Sequence, residues 1–232
     1  MFDGILIVDK EKGWTSHDVC AFIRSRFKIA KVGHGGTLDP MATGVLVILL
    51  GRATRMFDSI AATEKYYEGT IRVGFQTDTH DIEGKMTGEK SWDHISAEQI
   101  HETAKYYQGE IQQIPPMVSA LKHKGVRLYK LARRGQEVAR EARAVKIYEF
   151  VIRDIRLPEI NFFAHVSKGT YVRTLAHDFG AQLGSAGVLS ELRRLRSGEF
   201  DLEDAVTIAQ LKKMDSHDLA RHVRMSSAAL IA

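Results

Sequence analysis

Gly33-His-Gly-Gly-Thr-Leu-Asp-Pro-Met-Ala-Thr-Gly44 runs directly into Val45-Leu-Val-Ile-Leu-Leu50. The second stretch is an unbroken apolar run and reads as a strand buried on both faces. Glycines at 33, 35 and 36 allow unusual backbone angles and the close approach of a ligand. No Gly-Lys-Ser/Thr follows, so the loop is not a nucleotide-binding P-loop, and its glycine spacing is not a dinucleotide fingerprint. Asp39 precedes Pro40, which disfavours helix at Asp39 and holds it extended. A carboxylate on a rigid loop ahead of a buried strand suits a nucleophile or a base. It also suits the cap of a turn, and the local pattern leaves both open.

Outward from this centre, Ile5-Leu-Ile-Val8 is a short apolar run with the character of a buried strand. Ser16 is placed to cap a helix whose apolar positions Val19, Phe22, Ile23 and Phe27 keep helical spacing. Residues 65 to 74 read as a strand, and Asp78 to Gly84 as turn chemistry. Ser96 and Gln99 form a capping box for a helix that ends near Gly109. Ile114-Pro115-Pro116 breaks regular structure, and a short helix is expected around Tyr129 to Arg134. Val145 to Ile155 and Ile160 to Val166 read as adjacent strands linked through Pro158. Thr170 to Leu183 reads as a helix stopped by Gly184, and a last amphipathic helix starts near Ile208. Strands and helices mix without regular alternation, which favours α+β over a doubly wound sheet.

The 232 residues suffice for a substantial core, and 44% apolar with 27% charged is ordinary for a globular chain. No apolar run approaches the roughly 20 residues that span a bilayer, and the start Met-Phe-Asp-Gly has no signal-peptide pattern. The single Cys20 excludes an internal disulfide and a multi-cysteine zinc site. These features point to the cytoplasm. Net charge is +4, but its placement is uneven: Lys122 to Lys146 holds nine Lys or Arg against two Glu, a net of +7. The remaining 24 basic and 27 acidic residues give −3, so one segment holds the whole basic excess. It reads either as a solvated helical face or as a surface for nucleic-acid phosphates.

Three other places hold candidate chemistry. Ser167-Lys-Gly-Thr-Tyr-Val-Arg-Thr-Leu-Ala-His-Asp178 puts Arg173 in the first turn of a helix, where the helix dipole disfavours a cation. Arg173 is therefore either solvent-exposed or held by a specific partner. Lys65-Tyr-Tyr67 offers aromatic rings for stacking on a base or for core packing. Asp78, His80 and Asp81 imitate a metal site, but turn chemistry explains them, and no metal is expected. His34 reads locally as a satisfied loop histidine.

Several spaced blocks together resemble the TruB family, the bacterial tRNA pseudouridine-55 synthases. They are Ile7-Val-Asp-Lys10 with Gly13-Trp-Thr-Ser16, the Gly33–Gly44 loop, Gly51-Arg-Ala-Thr54, Lys65-Tyr-Tyr67 and Gly74-Phe-Gln-Thr-Asp-Thr-His-Asp81. Further along come Gln113-Ile-Pro-Pro-Met-Val-Ser-Ala-Leu-Lys122, Lys168-Gly-Thr-Tyr-Val-Arg173 and Leu192-Arg-Arg-Leu195. The blocks follow the family's order from about residue 3 to 211.

The resemblance implies a catalytic domain over residues 1–212, with a mixed, largely antiparallel sheet flanked by helices. It leaves 213–232 as a short C-terminal tail in place of the family's usual RNA-binding PUA domain. It implies that Asp39 is the catalytic carboxylate, that Tyr67 stacks on the target uracil, and that Arg173 pairs with the aspartate. Leu192 lines the uracil pocket and His34 fills the gap left when the base is flipped out. Lys10, Lys168 and Tyr171 join the substrate-binding set. Lys122, Lys124, Arg127, Lys130, Arg133, Arg134 and Arg140 are expected to hold phosphates. The implied partner is the T-arm of tRNA, met by a monomer with no cofactor, no metal, no membrane and no protein partner. One departure stands in the first block, where Glu11 follows Lys10 in place of the family's usual proline.

Overall fold

The computed structural model describes residues 2–224. In chain order the first elements are β1 (Gly4–Lys10), α1 (Ser16–Arg26), β2 (Val32–His34), β3 (Thr43–Leu50), α2 (Phe57–Ala61) and β4 (Lys65–Val73). Next come β5 (Phe75–Thr77), β6 (Met86–Glu89), α3 (Ala97–Tyr106), β7 (Gly109–Gln113), β8 (Lys122–His123), β9 (Val126–Arg127) and α4 (Leu128–Ala132). The remainder are β10 (Arg143–Arg156), β11 (Glu159–Val166), α5 (Val172–Gln182), β12 (Gly187–Ser197), β13 (Phe200–Asp201), β14 (Val206–Thr207), α6 (Ile208–Lys213) and α7 (Ser216–His222). The class is α+β, with mixed but mainly antiparallel strand pairing and flanking helices. No helix among the described residues is long and apolar enough to cross a membrane.

The chain forms two compact units, one from residues 1–68 and 192–232, the other from Gly69–Glu191. The first is built on β3, whose residues Val45 to Leu50 are each at most 1% exposed, as the unbroken apolar run requires. β1 lies antiparallel to it, with Gly4 opposite Leu50 and Lys10 opposite Gly44. β2 adds a second antiparallel neighbour, and β12 a parallel one at Arg193 and Arg194. Alternate residues of β1 and β3, Ile5, Ile7, Val45, Val47 and Leu49, meet Ile60 and Phe200 in one apolar cluster. The segment after residue 212 carries α7, and Arg224 then pairs with Ile5 through two backbone hydrogen bonds of 2.9 and 2.8 Å. Met225–Ala232 of the expected tail lie outside the described residues.

The second unit is organised by the antiparallel β10–β11 ribbon, with β7 along the other edge of β10. Phe150 meets Phe162 and Phe179 edge-on, each with ring centroids 5.4 Å apart, which ties the ribbon to α5. The expected capping box at Ser96 opens α3. Helix α1 corrects the expectation at its start: Thr15 is the N-cap, boxed with Asp18, and Ser16 is the first helical residue. Strand β12 falls where the sequence reading placed no element. Its Glu191-Leu-Arg-Arg-Leu-Arg196 has no clean apolar alternation, because a buried arginine stands at 194.

Candidate active site

The loop between β2 and β3 is held at several points. The Gly35 amide donates to the Val47 carbonyl at 2.8 Å, and a Cβ at Gly35 would lie 2.2 Å from Ile60 Cγ2, so only glycine permits this approach. The Ser16 hydroxyl accepts from the Leu38 amide and donates to the Leu38 carbonyl. On the far side of Asp39, the Pro40 carbonyl accepts from the Gly13 amide at 2.9 Å and from Lys10 Nζ at 3.3 Å. The Asp39 carbonyl itself takes the Ala42 amide at 3.1 Å. The residues on both sides of Asp39 are thus fixed by the block Lys10–Ser16, and the Asp39 side chain stands half-buried between them.

Lys10, expected among substrate-binding residues, is fully buried, and its ammonium also donates to the carbonyls of Glu11 and Trp14. Its ammonium thus ties the Glu11–Trp14 turn to Pro40 of the Asp39 loop. His34 ends β2 opposite Ile48. Tyr67 is buried in β4, and Leu192 is buried at the start of the first unit's share of β12, its carbonyl accepting from Thr43 Oγ1 at 3.4 Å. Lys65 directs its ammonium to the carbonyls of Ala61 and Thr63, while the Tyr66 ring lies under the Arg196 guanidinium.

In the second unit, Arg173 occupies the first turn of α5 and is 3% exposed. The cation that the helix dipole disfavours has specific partners. It donates to the carbonyls of Thr79 at 2.7 Å and Val118 at 2.9 Å, and it lies 3.5 Å from the Asp81 carboxylate. Asp81 also accepts from Thr79 Oγ1 and from the Glu83 amide, so the Asp78–Gly84 turn is arranged around it. His80 stacks on His177 with centroids 4.0 Å apart, and burial pushes its pKa down to about 3, helped by the positive charge of neighbouring His177, Arg173 and Arg140. Among the described residues no group of three or more potential metal ligands forms. Tyr171 is fixed by a reciprocal pair with the Gln113 side-chain amide, 2.8 Å at its nitrogen and 3.1 Å at its carbonyl. Lys168 is exposed in the turn before it.

The basic segment forms the small β8–β9 hairpin and α4, with Lys122, Lys124, Arg127, Lys130, Arg133 and Arg134 exposed. Arg140 differs from these: its guanidinium is turned to the Pro115 carbonyl at 3.2 Å and the Glu137 carboxylate at 3.0 Å. Sequence reasoning missed the supporting roles of Ser16, Gln113, Asp81 and Arg194. Ser16 and Asp81 carried only cap and turn signals, and Gln113 and Arg194 stood in the resemblance blocks without an assigned role.

A family model described as "TruB family pseudouridylate synthase (N terminal domain)" matches residues 24–172, and "tRNA pseudouridylate synthase B C-terminal domain" matches 173–230. The tRNA pseudouridine synthase B of Syntrophotalea carbinolica is 47% identical over 93% of this chain and 71% of its own length. That of Thermobifida fusca is 45% identical over 91% of this chain and 75% of its own. Among solved structures, a Cbf5–Nop10–Gar1 complex contains a chain 29% identical, with a TM-score of 0.73, covering 95% of this chain but 59% of that one. Family models that together span most of the sequence, and relatives at this identity, place the chain in the TruB family of pseudouridylate synthases.

Proposed function

We propose that this chain isomerises uridine 55 in the T-loop of tRNA to pseudouridine, with Asp39 as the catalytic carboxylate. The observation that carries the reading is the fixation of the Asp39 loop on both sides by Lys10, Gly13 and Ser16. A nucleophile or base works best when its approach is set before the substrate arrives. Family membership then supplies the reaction class.

The isomerisation breaks the bond from N1 of uracil to C1′ of ribose and forms one from C5 to C1′. C5 loses its proton and N1 gains one, so no atom and no electron is exchanged with a co-reactant. Asp39 acts as nucleophile or base in this sequence, Tyr67 supplies a ring for stacking on the uracil, and Arg173 supplies a fixed positive charge. Leu192 and Tyr171 are each assigned to substrate binding by the resemblance. A base within a folded loop is reached by flipping, which costs roughly a few kcal/mol. Stacking on one aromatic ring returns about 1–3 kcal/mol, and His34 entering the vacated stack offsets more. Lys168 and the exposed cations of the 122–134 segment bind T-arm phosphates, which position the RNA without reading its sequence. The enzyme works as a monomer in the cytoplasm on tRNA alone.

The test is direct mapping. A T-arm transcript incubated with the protein is to be probed for pseudouridine at every uridine. Modification at position 55 alone is expected. Modification elsewhere, or none, contradicts the proposal.

A further inference from the structure

Arg194 heads the fully buried side chains in size and is 2% exposed. Taking a guanidinium out of water is costly unless its donors are met in good geometry. Among the described residues its hydrogen-bond partners are all backbone carbonyls: Nε donates to Val45 at 2.7 Å, one terminal nitrogen to Gly36 at 3.1 Å, and the other to Thr37 at 3.5 Å. Two of these carbonyls precede Asp39 in the chain and the third follows it. One planar, rigid fork therefore joins the two arms of the loop that carries Asp39.

The backbone at 194 grips the same loop a second time. Arg194 is in parallel register with Gly44 on β3. Gly44 has φ +98, and a Cβ there would lie 2.2 Å from the Arg194 carbonyl oxygen, so only glycine allows strands β3 and β12 to approach this closely. Leu192, two residues earlier on β12, projects to the same side as Arg194 by strand alternation. The contacts from Lys10, Gly13 and Ser16 hold Leu38 and Pro40, whereas Arg194 holds Gly36, Thr37 and Val45. The two sets share no carbonyl, and the second is not explained by the first.

We infer that Arg194 is a positioning residue for the isomerisation: its buried guanidinium sets the separation of the loop's two arms, and through it the placement of the Asp39 carboxylate. The inference rests on the assignment of Asp39 as the catalytic group. A loop displaced by a fraction of an ångström still binds RNA, because the cations proposed for phosphate contact belong to other segments of the chain, but presents its carboxylate badly.

Arg194→Lys and Arg194→Met are to be compared with the wild type for kcat, KM and RNA affinity on a T-arm transcript. Lysine keeps the charge but concentrates its donors at one point, so it cannot serve three separated carbonyls. Displacement at this scale predicts a fall in kcat of about 100-fold for methionine and about 10-fold for lysine, with KM and RNA affinity within about twofold of wild type. Should the methionine variant prove insoluble, the lysine variant carries the test by the same split. A folded variant with wild-type kcat, or a loss that lies in KM or RNA binding, overturns the inference. Asp39→Asn run alongside separates the two ideas. An inactive Asp39→Asn with a fully active Arg194→Met sinks this inference alone, whereas an active Asp39→Asn sinks the catalytic assignment beneath it.

Discussion

The Ser16 hydroxyl takes the Leu38 amide at 2.8 Å and gives its own proton to the Leu38 carbonyl at 3.0 Å, so one side chain of α1 satisfies both polar groups of the residue before Asp39. Leu38 is 3% exposed, and water is a poor substitute there. Ser16→Ala leaves a buried donor and a buried acceptor unpaired, at about 1–3 kcal/mol for each group. Denaturant unfolding is expected to show that loss with an unchanged slope, together with reduced kcat. An unchanged midpoint shows that the loop does not depend on this hydroxyl.

Arg173 and Asp81 form a second buried dependence. With side-chain exposures of 3% and 8% at 3.5 Å, removing one charge takes a buried counter-charge from the other. Asp81→Asn is expected to destabilise the protein by on the order of 3 kcal/mol. In a double-variant cycle, Arg173→Met combined with Asp81→Asn is expected to cost less than the sum of the single changes. Strict additivity argues that the two side chains are not coupled.

His80 makes a prediction about acid. Burial holds its folded pKa near 3, below the ordinary 6.5. Between those values the unfolded chain binds more protons than the folded one. Stability therefore falls as pH drops through the window, with a slope of up to about 1.4 kcal/mol per pH unit from this group. His80→Phe keeps a ring against His177 and removes the proton site. Unfolding free energies measured from pH 7 to pH 4 are expected to converge, the variant gaining on the wild type as acid is added. A difference that stays constant with pH contradicts this account.

The exposed cations of the basic segment are testable through salt. On the proposed function, Arg133→Glu and Arg134→Glu each remove one phosphate contact. Each is expected to weaken T-arm binding and to shallow the plot of log affinity against log salt by roughly one unit or less. Both residues are exposed, so stability should change by no more than about 1 kcal/mol, at Arg133 through its contact with the Tyr129 ring. Weaker binding with an unchanged salt slope places them away from the RNA phosphates. Arg140, turned toward Pro115 and Glu137, is expected to contribute less to this slope than Arg133.

Where the sequence was informative, local physics agreed with the tertiary structure. The run Val45–Leu50 is a doubly buried strand because nothing polar interrupts it, and Ser96 caps α3 because a capping box is satisfied within four residues. Arg173 stands at the wrong end of a helix dipole, which left exposure or a specific partner open; its burial decides for partners, and Asp81 could not be named from spacing. Strand β12 stayed hidden because its alternation is broken by Arg194, whose burial depends on carbonyls about 150 residues earlier in the chain. Ser16 misled in a similar way. Its local pattern fits a cap, but Thr15 takes that role and frees the Ser16 hydroxyl for Leu38. The residues that hold the site in place were the least legible, since their partners are distant backbone groups that carry no sequence pattern.

The central claim is that the Asp39 carboxylate performs the isomerisation on a loop held in place through its backbone groups. It is tested most directly by tritium release from a T-arm transcript labelled at C5 of uridine, wild type against Asp39→Asn. The loop is held by Ser16, Gly13, Lys10 and Arg194 through backbone groups, so the asparagine variant is expected to fold and bind RNA as the wild type does. It is expected to release no tritium above background. Turnover at the wild-type rate by Asp39→Asn contradicts the account.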